Sequence, residues 1–303
     1  MCEILSRDKH LKHLESYTVP EMDVAVRLSD FFKADTFKTI ASRKAMKNAI
    51  KKGLVKINGK TGYTGDYLRG GELIEIFRNE TENVKPSIDF KLEVIYEDEF
   101  LAVVNKPCGI VVSGNKRWTL ENSLPGNIKR SSEPDALIRP EPVHRLDYPT
   151  SGTLLVAKTS SAVRLLNKIF EEREIKKFYA AVTIGNQPKS GVIEKEIEGK
   201  ASESEFEVLQ RIISPKYDFL NLTKLKPNTG RRHQLRIHLL TIGHPIFGDL
   251  KYGIDGLKLK GKGLYLHASC LSFVHPFTHE KKKVLAPLPS KFVKLFPDCQ
   301  KYF

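Results

Sequence analysis

The sequence predicts an α+β protein with a small N-terminal α/β domain and a larger mixed domain. Three observations support this fold class. A basic amphipathic helix is followed by short strands and tight turns within residues 41–77. A polar stretch containing a proline, residues 80–89, then interrupts the pattern as a linker would. Beyond it, apolar strand-like runs alternate with amphipathic helical segments over about 215 residues, which is enough for a second core.

Charge is the most unusual property of the composition. The 303 residues include 50 Lys and Arg against 36 Asp and Glu, a formal net charge of +14. Such an excess indicates a polyanionic partner, nucleic acid first and a membrane surface second. The four cysteines are not paired at metal spacing, no apolar run is long enough to span a membrane, and the first twenty residues do not resemble a secretory signal. We therefore expect a cytoplasmic protein.

The first basic block lies between residues 36 and 65, which contain eight Lys or Arg and no acid. As a helix over residues 41–52, this block places Lys44, Lys47 and Lys51 on the face opposite its apolar residues. Gly53 is a typical helix end, and an Asn-Gly pair then predicts a hairpin turn. This face suits a phosphate backbone, although a merely solvated surface helix has the same pattern.

The larger domain begins with an apolar strand that ends at a Lys-Pro pair, residues 106–107. The polar stretch 113–142 predicts a surface loop, with at most a local helix. Ser160 is expected to cap an amphipathic helix. Residues 176–182 then predict a strand that places Tyr179 on the face opposite Phe178, either as packing or, in a cleft, as a ring that stacks on a base.

The most informative segment is 142–158, where a turn rich in His, Arg, Asp, Thr and Ser precedes an apolar strand. Asp147 lies between Arg145 and several small hydroxyl residues, which suits an activated nucleophile or base. From the spacing alone, an aspartate that caps its own turn and pairs with Arg145 is favoured, because capping aspartates are common.

A late cluster, residues 229–249, combines a helix with arginines one turn apart, Arg232 and Arg236. An arginine at a helix start suits RNA phosphates, whereas one further along the helix suits a buried carboxylate. His233 and His238 are not at i, i+4 spacing, so we expect no metal site here.

Taken in order, four motifs resemble the RluA-type pseudouridine synthases over about residues 90–280. They are His-Arg-Leu-Asp…Thr-Ser-Gly at 144–152, Lys-Phe-Tyr at 177–179, Thr-Gly-Arg-x-His-Gln-Leu-Arg-x-His at 229–238, and the closing strand pattern from 266 to 276. Residues 24–78 resemble the RNA-binding fold of small-subunit ribosomal protein S-four, a frequent companion in that family.

The resemblance implies a fold, a reaction and roles for individual residues. The fold is a mixed, mostly antiparallel sheet with flanking helices, and the reaction is the isomerisation of uridine to pseudouridine in structured RNA. Asp147 would be the nucleophile or ribose-assisting carboxylate, and Tyr179 and Arg236 would be its catalytic partners. Leu235 and Ile237 would form the uracil pocket. Residues for RNA binding and base flipping would be His144, Arg145, Arg231, Lys44, Lys47 and Lys51.

From these resemblances we place the S-four-like domain at 1–82, a linker at 83–89 and the catalytic domain at 90–303. Because the reaction moves no net electrons, we expect no cofactor and no metal. The expected partner is structured RNA, ribosomal RNA before tRNA, and we expect a monomer with a mobile N-terminal domain. The alternatives are a non-catalytic RNA-binding or ribosome-assembly protein on the same fold and, less favoured, an RNA hydrolase.

Overall fold

The N-terminal part of the chain forms a small sheet with one helix packed on it. Its strands β1, β6, β3 and β4 are neighbours in that order, all antiparallel, and β2 pairs with β5. The elements are β1 Leu11–Thr18, β2 Val26–Arg27, α1 Arg43–Lys51, β3 Val55–Ile57, β4 Lys60–Thr61, β5 Tyr67–Leu68 and β6 Leu73–Asn79. The computed structural model describes residues 11–31, 36–37, 39–40, 42–79, 87–258, 261 and 263–303.

Helix α1 confirms the predicted basic helix and shows how its ends are fixed. The Ser42 hydroxyl accepts a hydrogen bond from the Ala45 amide at 3.1 Å and caps the first turn. Met46 and Ile50 are buried, whereas the three predicted lysines point outward. Gly53 follows at φ +69°, a left-handed conformation that glycine adopts without steric cost.

The larger domain is built on one long sheet. Among the described strands the order is β12-β13-β14-β11-β15-β10-β8-β7, with β16 added beside β15 and β9 beside β10. Of these pairs only β10 with β15 is parallel, so the sheet is mixed and mostly antiparallel, as predicted. The strands are β7 Glu93–Glu97, β8 Leu101–Lys106, β9 Ala136–Pro142, β10 Ser151–Thr159, β11 Lys176–Ile184, β12 Ser190–Glu194, β13 Glu203–Ser214, β14 Asp218–Pro227, β15 Leu266–Val274 and β16 Lys281–Leu285.

Helices flank this sheet, and the centre of the sheet is buried on both faces. The helices are α2 Leu120–Ser123, α3 Ser160–Glu171, α4 Gln234–Thr241 and α5 Ser290–Leu295. Alternate residues of β8 and β10 enter two separate cores, with Leu154 in one and Leu155 in the other. Leu166 of α3 packs in the second. Double burial explains why both strands are almost continuously apolar.

Two local expectations for this domain need correction. The side chain that caps α3 is Thr159, whose hydroxyl accepts from the Ala162 amide at 3.1 Å, and not Ser160, which is the first helical residue. The stretch 113–142 contains α2, as the expected local helix, but it ends in strand β9, which pairs with β10. A strand there was missed because its charged and proline residues, including Arg139 and Pro140, do not alternate as a half-buried strand should.

The two domains contact each other directly. Arg78 donates to the carbonyl of Ala136 at 3.2 Å, and Arg164 of α3 donates to the carbonyl of Phe37 at 3.3 Å. Most of the predicted linker, residues 83–86, lies outside the described residues. Across the described ranges, no helix is long and apolar enough to cross a membrane.

Candidate active site

A cleft of about 1000 Å³ lies over the middle of the long sheet. Its walls come from the β9–β10 connection, from β11 and from the turn that leads into α4. The predicted site residues that line it are His144, Arg145, Asp147, Tyr179, Arg231, Leu235 and Arg236. The fold therefore brings together motifs that are far apart in the sequence.

The β9–β10 connection carries Asp147 and is held close to the sheet. The Thr150 amide donates to the Asp147 carbonyl at 3.0 Å, which closes a tight turn. At Gly152, where φ is +115°, a Cβ atom would lie 2.1 Å from the Ala268 carbonyl oxygen of β15. Only glycine allows this approach. The Thr-Ser-Gly part of the motif thus fixes where the connection enters strand β10.

A buried lysine, Lys106, supports the same connection from below. Its side chain is fully buried at the end of β8, and its ammonium donates to the carbonyls of Thr150 at 2.8 Å, Pro107 at 3.0 Å and Asp147 at 3.3 Å. Burial lowers the pKa of Lys106 to about 8, although the negative charge of Asp147 opposes this shift. The sequence reasoning missed this role; the only signal was a lysine directly after an apolar strand.

The side chains of Arg236 and His233 flank the Asp147 carboxylate at distances longer than a hydrogen bond. Arg236 Nη1 lies 3.7 Å from Oδ2, and His233 Nε2 lies 3.7 Å from Oδ1. The Asp147 side chain keeps 19% of its surface exposed to the cleft. Its charge is therefore stabilised by a neighbour while its oxygens remain accessible.

Arg236 is bound more tightly by a second carboxylate. Its Nε lies 2.7 Å from Oδ2 of Asp249, and its Nη2 lies 2.8 Å from Oδ1. Burial opposes the charge of Arg236, but Asp249 and Asp147 outweigh it and raise its pKa above the usual value. Asp249 was not singled out from the sequence, and its ion pair with Arg236 was missed.

His233 directly precedes α4, as its N-cap residue, in a left-handed conformation with φ of +57°. Its Nδ1 lies 2.8 Å from the Tyr252 hydroxyl, which fixes the direction of the ring. Burial lowers the pKa of His233, since the opposing effect of Asp147 is too small to offset burial and the neighbouring cations. The imidazole facing Asp147 is therefore neutral at neutral pH. From its spacing to His238, His233 was considered only as a metal ligand, so its contact with Asp147 was not predicted.

Tyr179 lies on β11 and packs against the cores on both sides of it. Burial raises the pKa of Tyr179 well above its usual range, and the negative charge of Asp147 adds to the effect. The phenol is therefore protonated and can donate a hydrogen bond.

The structure places His144 and Ile237 differently from what their predicted roles require. His144 accepts a hydrogen bond from the Leu155 amide at 2.9 Å and packs on Phe170, so its ring holds the connection to β10. Burial, with Lys177 adding to it, lowers the pKa of His144 to about 3, which keeps this ring neutral.

Ile237 lines a separate cavity of about 250 Å³ and not the main cleft. Residues i and i+2 of a helix face different directions, so Leu235 and Ile237 do not share one wall.

The cleft is rich in positive charge. Arg145 and Arg232 are exposed at its surface, and Arg231 is half-buried, donating through Nε to the Ala201 carbonyl at 3.2 Å. The basic residues of the lining other than Arg236 are Arg145, Arg173, Lys176, Lys177, Lys226, Arg231 and Arg232. A cleft of this composition is suited to a polyanionic chain. Within the described residues, no cluster of three His, Cys, Asp or Glu side chains could hold a metal ion.

The predicted lysines of the N-terminal domain form a second basic surface on α1. Lys44, Lys47 and Lys51 are all exposed. Lys47 has an ion pair with Asp30 at 3.6 Å, in which both side chains are about half exposed. Exposed pairs of this kind contribute little to stability, so the lysine remains available to another anion.

Comparison with known proteins agrees with this geometry. Residues 100–241 match the family model for RNA pseudouridylate synthase. An uncharacterized RNA pseudouridine synthase of Aquifex aeolicus is 38% identical over 263 residues, covering 78% of this chain and 82% of the relative. Ribosomal large subunit pseudouridine synthase C of Vibrio parahaemolyticus is 33% identical over 310 residues, covering 92% and 95%.

Solved structures give the same result. Human RNA pseudouridylate synthase domain containing 1 superposes with a TM-score of 0.54 at 29% identity, over 67% of this chain and 85% of that one. Human RNA pseudouridylate synthase domain containing 4 has the same TM-score at 23% identity and shows the shared fold. The resemblance drawn from the four sequence motifs is confirmed: the chain belongs to the RNA pseudouridine synthases, isomerases that act on RNA.

Proposed function

We propose that this enzyme isomerises specific uridines of structured ribosomal RNA, with Asp147 as the carboxylate that starts the reaction. The observation that supports the proposal is the environment of the Asp147 carboxylate. It lies in a basic cleft with Arg236 and His233 at 3.7 Å, so its charge is supported but its oxygens are not consumed by short hydrogen bonds. A relative named for the large ribosomal subunit supports the choice of RNA.

The chemistry needs no net oxidation or reduction. The N1–C1′ bond of uridine breaks, the uracil turns within the cleft, and a C5–C1′ bond forms. The hydrogen on C5 leaves as a proton, and N1 takes up a proton. Asp147 acts either by bonding transiently to the uracil ring or by assisting at the ribose. Both roles require an ionised and accessible carboxylate.

Tyr179 and Leu235 provide the surroundings of the uracil. The Tyr179 ring lies in the cleft wall on β11, where it supports the base by stacking. Because its phenol stays protonated, it donates a hydrogen bond to an acceptor on the uracil. Leu235 is buried at the start of α4 and adds an apolar wall that excludes water.

The target base reaches the cleft by flipping out of the RNA stack. Arg145, exposed beside the catalytic carboxylate, fills the vacated place in the stack. Arg231 and Arg232 hold the phosphates on the far wall, where the charge favours a bent RNA strand. His144 serves this step indirectly, since it fixes the backbone of the connection that carries Arg145.

The N-terminal domain adds affinity for the RNA outside the cleft. Lys44, Lys47 and Lys51 present charge on one face of α1, which suits the phosphates of a folded RNA helix. This part of the binding should weaken as salt increases, because each neutralised phosphate releases a counterion.

The test is a pseudouridine map of total rRNA and tRNA by carbodiimide labelling and sequencing. It compares cells that carry the intact gene with cells that carry Asp147→Asn. Loss of one or a few pseudouridines from large-subunit rRNA would support the proposal and name the target. Loss confined to tRNA would move the substrate to that pool. An unchanged map, in cells shown to make the protein, would favour a non-catalytic RNA-binding role.

A further inference from the structure

A smaller cavity of about 250 Å³ lies beside the main cleft. Arg232 and His233 line both, so the two cavities share a wall where α4 begins. The volume is several times the roughly 30 Å³ that one water molecule takes in the liquid, and it suits a single planar base. A base held there would lie next to the uridine in the cleft.

Part of the cavity surface is apolar and held in place. Ile237 of α4 and Tyr252 are half-buried in its lining. The Tyr252 hydroxyl lies 2.8 Å from His233 Nδ1, which fixes the ring. Lys251 Nζ lies 5.1 Å from the centre of the same ring, a cation–π contact that keeps the ammonium at the cavity. A base therefore finds both a surface that excludes water and a cation close to it.

Two glutamates reach the cavity from a tight hairpin. Glu196 and Glu198 line it, one on each side of the buried Ile197. Ile197 and Lys200 exchange two backbone hydrogen bonds, at 3.0 and 3.1 Å, and close a two-residue turn. Both central residues of the turn, Glu198 and Gly199, have left-handed backbone, with φ of +53° and +71°. Because this geometry defines a tight hairpin, the backbone holds the two glutamates at the cavity.

The charges around the cavity are of both signs and remain separate. Glu196 and Glu198 come from the hairpin, whereas Arg232 directly precedes His233 and Lys251 lies in the turn after α4. Across the described part of the chain, none of these four exposed side chains has a hydrogen bond or an ion pair. Acids are unexpected beside a cleft for RNA because they repel phosphates. An occupant that suits the cavity must therefore offer N–H donors as well as anionic oxygens.

We propose that this cavity binds a guanine base that flanks the target uridine in the RNA. Guanine carries two neighbouring N–H donors, N1–H and N2–H, on its Watson–Crick edge, and they match the two oxygens of one carboxylate. Uracil has a carbonyl on each side of its N–H, and adenine and cytosine have an amino group beside an acceptor nitrogen, which a carboxylate repels. The phosphate of the same nucleotide then meets Arg232 and Lys251. This inference rests on the proposed function, since it names a second base of the same substrate.

The first test measures the binding of GMP, AMP, CMP and UMP to the full-length protein by saturation-transfer NMR. GMP should bind at least about threefold more tightly than AMP or CMP, since a bidentate contact to a charged group is stronger than a single one. In Glu196→Gln/Glu198→Gln the affinity for GMP should fall about tenfold, because each amide presents an N–H toward the donors of guanine. Affinity for UMP, which fits the main cleft, should stay within about twofold.

The sign of this change separates base recognition from general electrostatics. Removing two negative charges near the cavity would by itself strengthen the binding of every nucleotide. Loss of affinity for GMP alone therefore reports a lost hydrogen bond. A glutamine also pairs with adenine through both groups of its amide, so the affinity for AMP should increase in the variant. Because both glutamates are exposed, the substitutions should leave the fold intact.

Glu194→Gln/Glu207→Gln is the matched control. Both residues lie in the described part of the chain, exposed on β12 and β13, and neither lines the cleft or the smaller cavity. The control removes the same charge but should leave the ratio of GMP to AMP affinity unchanged. A control that loses its preference for GMP as the test variant does would overturn the proposal. Equal affinity of the native protein for GMP, AMP and CMP would also overturn it.

The second test is isomerisation of an unmodified large-subunit rRNA transcript labelled with [5-³H]uridine, measured as tritium released from C5. In Glu196→Gln/Glu198→Gln, kcat/KM should fall about tenfold through KM, with kcat within about threefold, because the guanine contact is the same before and during the chemical step. An unchanged kcat/KM would overturn the flanking role. Asp147→Asn, assayed in parallel, should keep the preference for GMP and lose turnover. Turnover in that variant would remove the proposed function, whereas a missing preference for GMP in the native protein would remove only this inference.

Discussion

The buried ammonium of Lys106 gives the sharpest prediction about the catalytic connection. We expect Lys106→Met to impair isomerisation strongly while it lowers the stability of the protein only moderately. Methionine has a similar length and fills the same space without charge. The four carbonyls within reach of the ammonium, those of Pro107, Asp147, Tyr148 and Thr150, would lose their common donor.

The magnitude follows from two opposing effects. A pKa lowered from 10.5 to about 8 means that burial disfavours the ammonium by roughly 3 kcal/mol, and the substitution removes this penalty. The two shortest contacts, to Thr150 and Pro107, are lost, and each is worth about 1.5–3 kcal/mol as a hydrogen bond to a charged group. The carbonyls of Asp147 and Tyr148 keep backbone donors, the amides of Thr150 and Gly109. The expected net loss of unfolding free energy is therefore about 0–3 kcal/mol.

Activity should respond much more than stability. Without the ammonium, the backbone at Asp147 relaxes, and a displacement of about an ångström at a reacting group costs on the order of 100-fold in rate. The assays are single-turnover tritium release from [5-³H]uridine RNA and urea unfolding followed by circular dichroism.

Lys158→Met is the matched control, because Lys158 is also buried but lies at the other end of β10, paired with Glu97 at 2.8 Å. Breaking this pair should cost roughly 2–4 kcal/mol, somewhat less than a fully buried pair, with the rate per folded molecule unchanged. The reasoning is refuted if Lys106→Met retains a rate within about threefold of the native enzyme, or if both variants lose rate equally.

Three further predictions concern chemistry, binding and acid stability. Asp147→Asn should abolish tritium release but leave RNA affinity in a filter-binding assay within about threefold, and measurable turnover would remove its assigned role. Replacing Lys44, Lys47 and Lys51 with Gln should weaken RNA binding and lower the slope of log affinity against log salt by up to about 3, and an unchanged slope would show that α1 does not contact phosphates. Asp98 tests acid stability: burial alone would raise its pKa, but the Tyr96 hydroxyl, two backbone amides and His275 outweigh burial and lower it. The stability it contributes is therefore present above the unfolded pKa of about 4 and is lost as pH falls below it. In urea titrations Asp98→Asn should flatten this acid-side loss, and an equally steep loss in the variant would contradict the assignment.

Local features of the fold were predictable because short-range rules govern them. The helix α1 follows from apolar spacing, and the Asn58–Gly59 turn, with φ of +49° and +76°, follows from the residues that tolerate left-handed backbone. Strand β9 was not predictable in the same way. Its residues include Arg139 and Pro140, and it is a strand only because β10 offers it hydrogen-bond partners.

The site residues also differ in how far the sequence alone could predict them. Asp147, Tyr179 and Arg236 were accessible from their motifs, and the structure places all three in one cleft. Ile237 was predicted to line the uracil pocket, but it lies on a different face of α4 and lines the smaller cavity. The N-terminal S-four-like domain and its RNA contacts stay a prediction, since the family model matches from residue 100 onward.

By itself, the sequence determined the reactive motif, the basic character of the protein and the type of most secondary-structure elements. Only the tertiary structure decided how charge is distributed within the site. It buried Lys106 beneath the connection that carries Asp147. It also placed Arg236 beside two carboxylates, with Asp249 closer to it than Asp147. The physical reason is that the energy of a charge depends on its burial and on distances between atoms that are far apart along the chain. Neither quantity can be obtained from local sequence patterns.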